Sequence, residues 1–324
     1  MYKITQNLFL VLTILLIPFS VQAVSFNLFN QQQLIKAKNT YENNLIGIFR
    51  EDLVRQLAYE HRQKLSNVKL NMPLQGEHPL QYGAQPWNKT IVIPISSVKF
   101  LDELTIVWAW FEENNCDMAY ITSYLSSVLG KREIQEAPLQ AFGLNMSVIK
   151  NKRVDSLSLK LHKSAIYFLM AHEAGHIVFD HKVNLKGYES QAQELAADNY
   201  ALNAMASIGV MPAGMLQYFI SSYMFEPFPD LKTWEYQQNT IGELTHPLAS
   251  ERLHNIAHRL NSNPIDFAHS EVQPQKASMI VANVAVQISN IAKHMDNGGM
   301  KIYSASWLLK HYPKSRFRVA CPIK

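Results

Sequence analysis

Apolar positions through residues 29–66, among them Leu45, Ile48, Phe49, Leu53 and Leu57, fall on helical faces between polar neighbours and predict amphipathic helices. Residues 71–87 carry Pro73, Pro79 and Pro86, which break helix, so this stretch reads as a linker or long loop. Residues 90–95 read as a short strand. Helical patterning returns over 100–112 and 118–129, where Trp108 and Trp110 read as core or groove lining. Over 154–162, Leu157, Leu159 and Leu161 alternate with Ser156, Ser158 and Lys160, the period of a half-buried strand. Residues 164–179 and 190–205 read as helices, the latter rich in Ala, Leu and Gln. Another helix is expected over 248–260. Residues 276–295 are strongly apolar but carry Asn283, Gln287 and Asn290, so they read as a buried helix rather than a membrane span. The fold class expected is α+β, mostly helical, with a small sheet beside the helix of residues 164–179.

The amino terminus changes the picture of compartment. Lys3 precedes an apolar run over residues 8–19, and Val21 and Ala23 stand at the two cleavage-site positions of a secretory signal. That run is shorter than the roughly 20 residues a spanning helix needs. The expectation is an exported chain, periplasmic or secreted, cut near Ala23, with no stable membrane span in the mature form. An uncleaved anchor is the alternative. The expected organisation is a signal peptide over 1–23, a helical region and linker over 24–85, a catalytic domain over 86–270, and a helix and tail packed on it over 271–324. Hydrophobic residues make up 48% of the 324, enough for a sizeable core. A net charge of +4 with no dense Lys/Arg run leaves no nucleic-acid footprint. In an oxidising compartment Cys116 and Cys321 either pair or remain separate thiols; neither has metal-site spacing.

The chemistry concentrates in His172-Glu173-Ala174-Gly175-His176, an H-E-x-x-H motif. On a helix, residues four apart share a face, about 5–6 Å apart at Cβ, so His172 and His176 can hold one metal ion between them. Glu173 beside them has the place of the general base in a zinc hydrolase. Glu194 follows eighteen residues after His176, with Asp198 on the same helical face. Two His and one Glu are a recognised zinc set that leaves a fourth position for water. Glu194 is therefore the expected third ligand, and Asp198 the carboxylate behind His172 or His176. Glu189, in an expected loop, is a weaker candidate. An all-histidine site needs H-E-x-x-H-x-x-G-x-x-H. Phe179 and Lys182 occupy its Gly and third-His positions, and His181, one place early, reads as an exposed helix-end residue.

A third element is His246-Pro247, with Arg252 six residues after the histidine. The three elements together, H-E-A-G-H, Glu194-Leu-Ala-Ala-Asp198 and His246-Pro247 with Arg252, resemble the HtpX-like gluzincin peptidases, a family that includes the type 1 CAAX prenyl proteases. The resemblance covers roughly residues 160 to 260. It implies a zincin-like metallopeptidase domain, a place near the metal for His246, in transition-state support or as a resting ligand, and a polar contact role for Arg252. The gap between His176 and Glu194 is shorter than in many members of that family, and in this the chain is similar to the ImmA/IrrE-type zinc peptidases. Both resemblances put the same residues on the metal. The expected function is a zinc endopeptidase with one Zn2+ per chain and a polypeptide substrate drawn from exported or envelope proteins. Tyr200 or Tyr188 would support the oxyanion, and the strand over 154–162 is a candidate edge for substrate. The competing expectation is a zinc-stabilised interaction or chaperone-like protein, with His246 closing the fourth position. Glu173 counts against it, because a closed structural site has no use for a base.

Overall fold

The computed structural model describes residues 26–130, 135–183, 185–225 and 249–304. Residues 1–25, with the expected signal sequence, and His246, Cys321 and the tail beyond residue 304 lie outside them. Helix α1 (Gln31–Gly47) opens with a capping box. The Asn30 side chain accepts from the Gln33 N–H at 2.9 Å, and the Gln33 side chain accepts from the Asn30 N–H at 2.8 Å. A π-helical turn (Ile48–Leu53) and a 3-10 turn (Val54–Gln56) lead to α2 (Tyr59–Leu65). Three short strands follow: β1 (Lys69–Asn71), β2 (Gly83–Gln85) and β3 (Thr90–Val92). β3 is central, parallel to β1 and antiparallel to β2, with Ala84 opposite Ile91. Then come α3 (Ile95–Asn114), α4 (Ala119–Leu125), α5 (Pro138–Ala141), α6 (Lys152–Val178), α7 (Gly187–Ser207), α8 (Met215–Phe225), α9 (Ala249–Ser262) and α10 (Pro274–Asp296).

α6 organises the molecule. Its 27 residues span about 40 Å at 1.5 Å per residue. Every side of it is buried from Ser164 to Gly175, the mark of a central helix. α3, α7 and α8 pack on it, and β2 and β3 lie against it. The core is continuous: Phe49 and Leu65 before the sheet join Phe100, Phe168, Phe219 and Ile288 in one cluster.

The strand expected over 154–162 is the first third of α6. Asn151 caps the helix, its side chain accepting from the N–H groups of Arg153 and Val154. The buried positions are Val154, Ser158, Leu161 and Ala165, a helical spacing, whereas Leu159 is 61% exposed. Three leucines two apart fit either period in so short a window, and the cap together with the long helical run decides it. Residues 71–87 are also more than a linker. Their prolines do exclude helix, but the segment carries β2 and is tied to the start of α3, where Ile95 and Ser96 donate to the carbonyls of Pro73 and Leu74. α10 falls where a buried helix is expected, but it has two faces. Val281, Ala285, Ile288, Ala292 and Met295 are buried, while Met279, Ile280 and Val286 stand in solvent. No helix among the described residues is long and apolar enough to cross a membrane.

Candidate metal centre and catalytic cleft

His172 and His176 project from adjacent turns of α6, and their Nε2 atoms are 3.1 Å apart. α7 runs close along this face because Gly175 offers no side chain. A Cβ there would stand 3.2 Å from both the Ala197 Cα and the Tyr200 ring, tighter than an undisturbed packing allows. The close approach brings in Glu194, whose Oε2 lies 3.3 Å from His172 Nε2 and Oε1 3.5 Å from His176 Nε2. Each of the three residues offers one donor atom within 4.8 Å of the other two. Donors about 2.05 Å from a tetrahedral zinc stand about 3.3 Å from one another. The shortest separations, taken to the two different oxygens of Glu194, lie near that edge length, so the donor set suits a zinc ion in chemistry and comes close to the spacing it requires.

Behind these donors lies a buried ionic network. Asp198 is fully buried and reaches His172 Nδ1 through Oδ1 at 2.9 Å. Arg252 of α9 grips the same carboxylate, donating from Nε to Oδ2 at 2.7 Å and from Nη2 to Oδ1 at 2.6 Å. Its guanidinium lies over the Phe219 ring at 4.7 Å, and its Nη1 is 3.7 Å from Glu194. Burial alone would raise the Asp198 pKa, but the Arg252 charge and hydrogen bonds hold it below the ordinary carboxylate range. Burial would likewise lower that of His172, and the bonds to Asp198 and Glu194 reverse the direction. For His176, burial together with the neighbouring His172 outweighs the Glu194 charge and pushes it down to about 3. One guanidinium thus faces the carboxyl groups of Glu173, Glu194 and Asp198. With the His172 imidazole neutral, as a metal ligand must be, the balance in this buried place is negative, which a divalent cation would offset.

Glu173 is 7% exposed, and burial raises its carboxyl to about 7, with the Glu194 charge adding to the rise. The backbone N–H of Ala84 on β2 donates to it. A cleft of about 340 Å³ opens here, lined by Tyr82, Gly83 and Ala84 on one side and by His172, Glu173, His176, Glu194, Tyr218 and Arg252 on the others. The structure therefore brings together His172, Glu173, His176, Glu194, Asp198 and Arg252. It leaves out Glu189, which is exposed on the first turn of α7, and Tyr188, which is 77% exposed. Tyr200 lines a separate cavity of about 470 Å³ with His61 and Asn203. Of the two tyrosines lining the cleft, Tyr82 and Tyr218, Tyr218 on α8 is close enough to Arg252, Glu173 and Glu194 for its hydroxyl to feel their charges. His181 is not the exposed helix end that its sequence position suggests. It is half-buried, lines the cleft, and sets its Nδ1 2.9 Å from that of His176. No periodicity in the sequence marks Ala84, His181 or Tyr218; the only hint was that His181 falls one place from a known ligand position.

Residues 145–272 match the family model of peptidase U49, a stretch that contains α6 to α9 and with them every residue of the donor set. A search of the curated proteins and one of the solved structures find no match. The family match supports peptidase activity, hence a hydrolase acting on polypeptide, and favours neither the HtpX-like nor the ImmA/IrrE-type peptidases.

Proposed function

We propose that this chain is a zinc-dependent endopeptidase of zincin-like architecture, in which His172, His176 and Glu194 hold one Zn2+ and Glu173 is the general base. The observation that carries the reading is the set of donor separations, 3.1, 3.3 and 3.5 Å, around a buried point beside a carboxyl that lines the same cleft. A zinc ion held there supplies Lewis-acid polarisation of the scissile carbonyl and a water acidified toward a pKa of about 7. Glu173 takes the proton of the attacking water on its carboxylate and returns it to the departing amine. Burial raises its carboxyl above the ordinary carboxylate range, which strengthens it as a proton acceptor. The Ala84 N–H keeps the carboxylate turned toward the cleft. Arg252 and Asp198 fix the His172 ring, and Tyr218 offers a hydroxyl to the oxygen on which charge develops. β2, the edge strand beside the cleft among the described residues, takes the place assigned from sequence to residues 154–162 as the rail along which an extended polypeptide would lie. His246 keeps the role that the resemblance implies for it. The apolar run before Ala23 supports substrates among exported or envelope proteins.

The test is hydrolysis of an unfolded polypeptide such as casein by purified, zinc-loaded protein. Chelation should stop it and zinc should restore it. Glu173→Gln should keep the metal and lose about 10²–10⁴-fold in rate, the usual contribution of a positioned proton acceptor. Full activity in metal-free protein or in Glu173→Gln would overturn the mechanism. A zinc-bound wild type with no turnover on any polypeptide would favour the interaction-protein reading.

A further inference from the structure

We infer that His181, on the turn after α6, is the positioning residue that fixes the tautomer and ring orientation of His176, and through them the cation affinity of the centre; this rests on the zinc reading above. α6 ends in a Schellman turn. Asp180 is left-handed at φ 51°, its N–H donates to the Ile177 carbonyl at 3.3 Å, and the His181 N–H donates to the His176 carbonyl at 3.0 Å. Glycine usually serves this position, and Asp is among the few side chains that tolerate it. The reversal lays residue 181 back over residue 176. Their ring centroids are 4.9 Å apart with planes at 76°, and the two Nδ1 atoms are 2.9 Å apart. Near-perpendicular rings with nitrogens at that distance are joined by one shared proton.

The sharing has a required direction. Nε2 of His176 faces His172 and Glu194, and a neutral imidazole can offer its lone pair there only if its proton sits on Nδ1. His181 must then accept at Nδ1 and keep its own proton on Nε2. Each imidazole of the centre thus has its own acceptor: the Asp198 carboxylate for His172 and a second imidazole for His176. Lys64 of α2 braces the turn, donating from Nζ to the Val178 carbonyl at 2.6 Å and lying 3.9 Å from Asp180.

The experiment compares His181→Ala with His181→Asn, measuring zinc affinity by competition with a chromophoric chelator. Asn presents an oxygen near the place of Nδ1 and can accept; Ala cannot. The Ala variant should lose about 10–100-fold in affinity, and the Asn variant should keep most of it. Because the His181 ring is half-exposed, metal-free forms of both variants should melt with the wild type, which separates weaker binding from a damaged fold. Unchanged affinity in the Ala variant overturns the inference. So does an equal loss in both variants, which would mean that His181 acts by packing or as a ligand itself. A wild type that takes up no zinc in the same titration instead overturns the metal-centre reading on which the inference stands.

Discussion

Asp198 is the residue on which the others at the site depend. It accepts from both Arg252 and His172 in a place without solvent, so its removal leaves a buried guanidinium with only the Glu194 carboxylate, 3.7 Å away, to offset it. Asp198→Ala should cost about 3–5 kcal/mol in urea unfolding of the metal-free protein, the usual penalty for breaking a buried ion pair from one side. A loss under about 1 kcal/mol would show that water reaches Arg252. At this scale the sequence was informative wherever spacing along a single helix sets the geometry. His172 and His176 share a face of α6, and Glu194 and Asp198 a face of α7, by virtue of being four apart. His181 and Tyr218 were not legible in that way. The first reaches the cleft through a left-handed residue that ends a helix, and the second through the packing of α8 on α6. Neither event leaves a period in the chain.

Between elements, the site depends on how closely α7 approaches α6. Gly175 sits where the two helices meet, and Ala197 and Tyr200 already crowd the space that a methyl group would take. Gly175→Ala gains helix propensity of about 1 kcal/mol but forces the neighbours apart, and overpacking costs about 1–3 kcal/mol. The net expectation is a small loss of stability with a larger fall in zinc affinity, because Glu194 moves with α7. Calorimetric titration of metal into the variant reads the second effect directly; undiminished affinity would show that α7 can slide without carrying its carboxylate away. Apart from the first third of α6, expected as a strand, the helices were readable from composition and caps, mostly with boundaries extended, as where α3 begins at Ile95 behind Pro94. The sheet was not. Each strand is three residues long, too short to show alternation, and β2 lies in a proline-flanked stretch that locally resembles a loop. Only pairing with β3 and contact with α6 make it a strand.

For the whole molecule, three elements, α6, α7 and α9, contribute to one charged cluster, so a cation bound there would couple its binding to folding. If the folded chain alone binds zinc, free metal at a hundred times its dissociation constant stabilises it by about 2.7 kcal/mol. For a chain of this size that is a rise of about 4 °C in melting temperature, reversed by chelator. Calorimetry with and without zinc measures it, and coincident melts would mean that no such coupling exists. The stretch matched by the peptidase family begins at residue 145, and all the donors lie inside it. Yet one ammonium group, on a side chain 114 positions upstream of its partner carbonyl, splints the far end of the helix that bears two of those donors. A shortened relative that began at the matched segment would inherit every liganding atom and none of this scaffolding. The contacts that hold this end of α6 therefore reach back to α2, well outside the boundaries that motif content alone would draw.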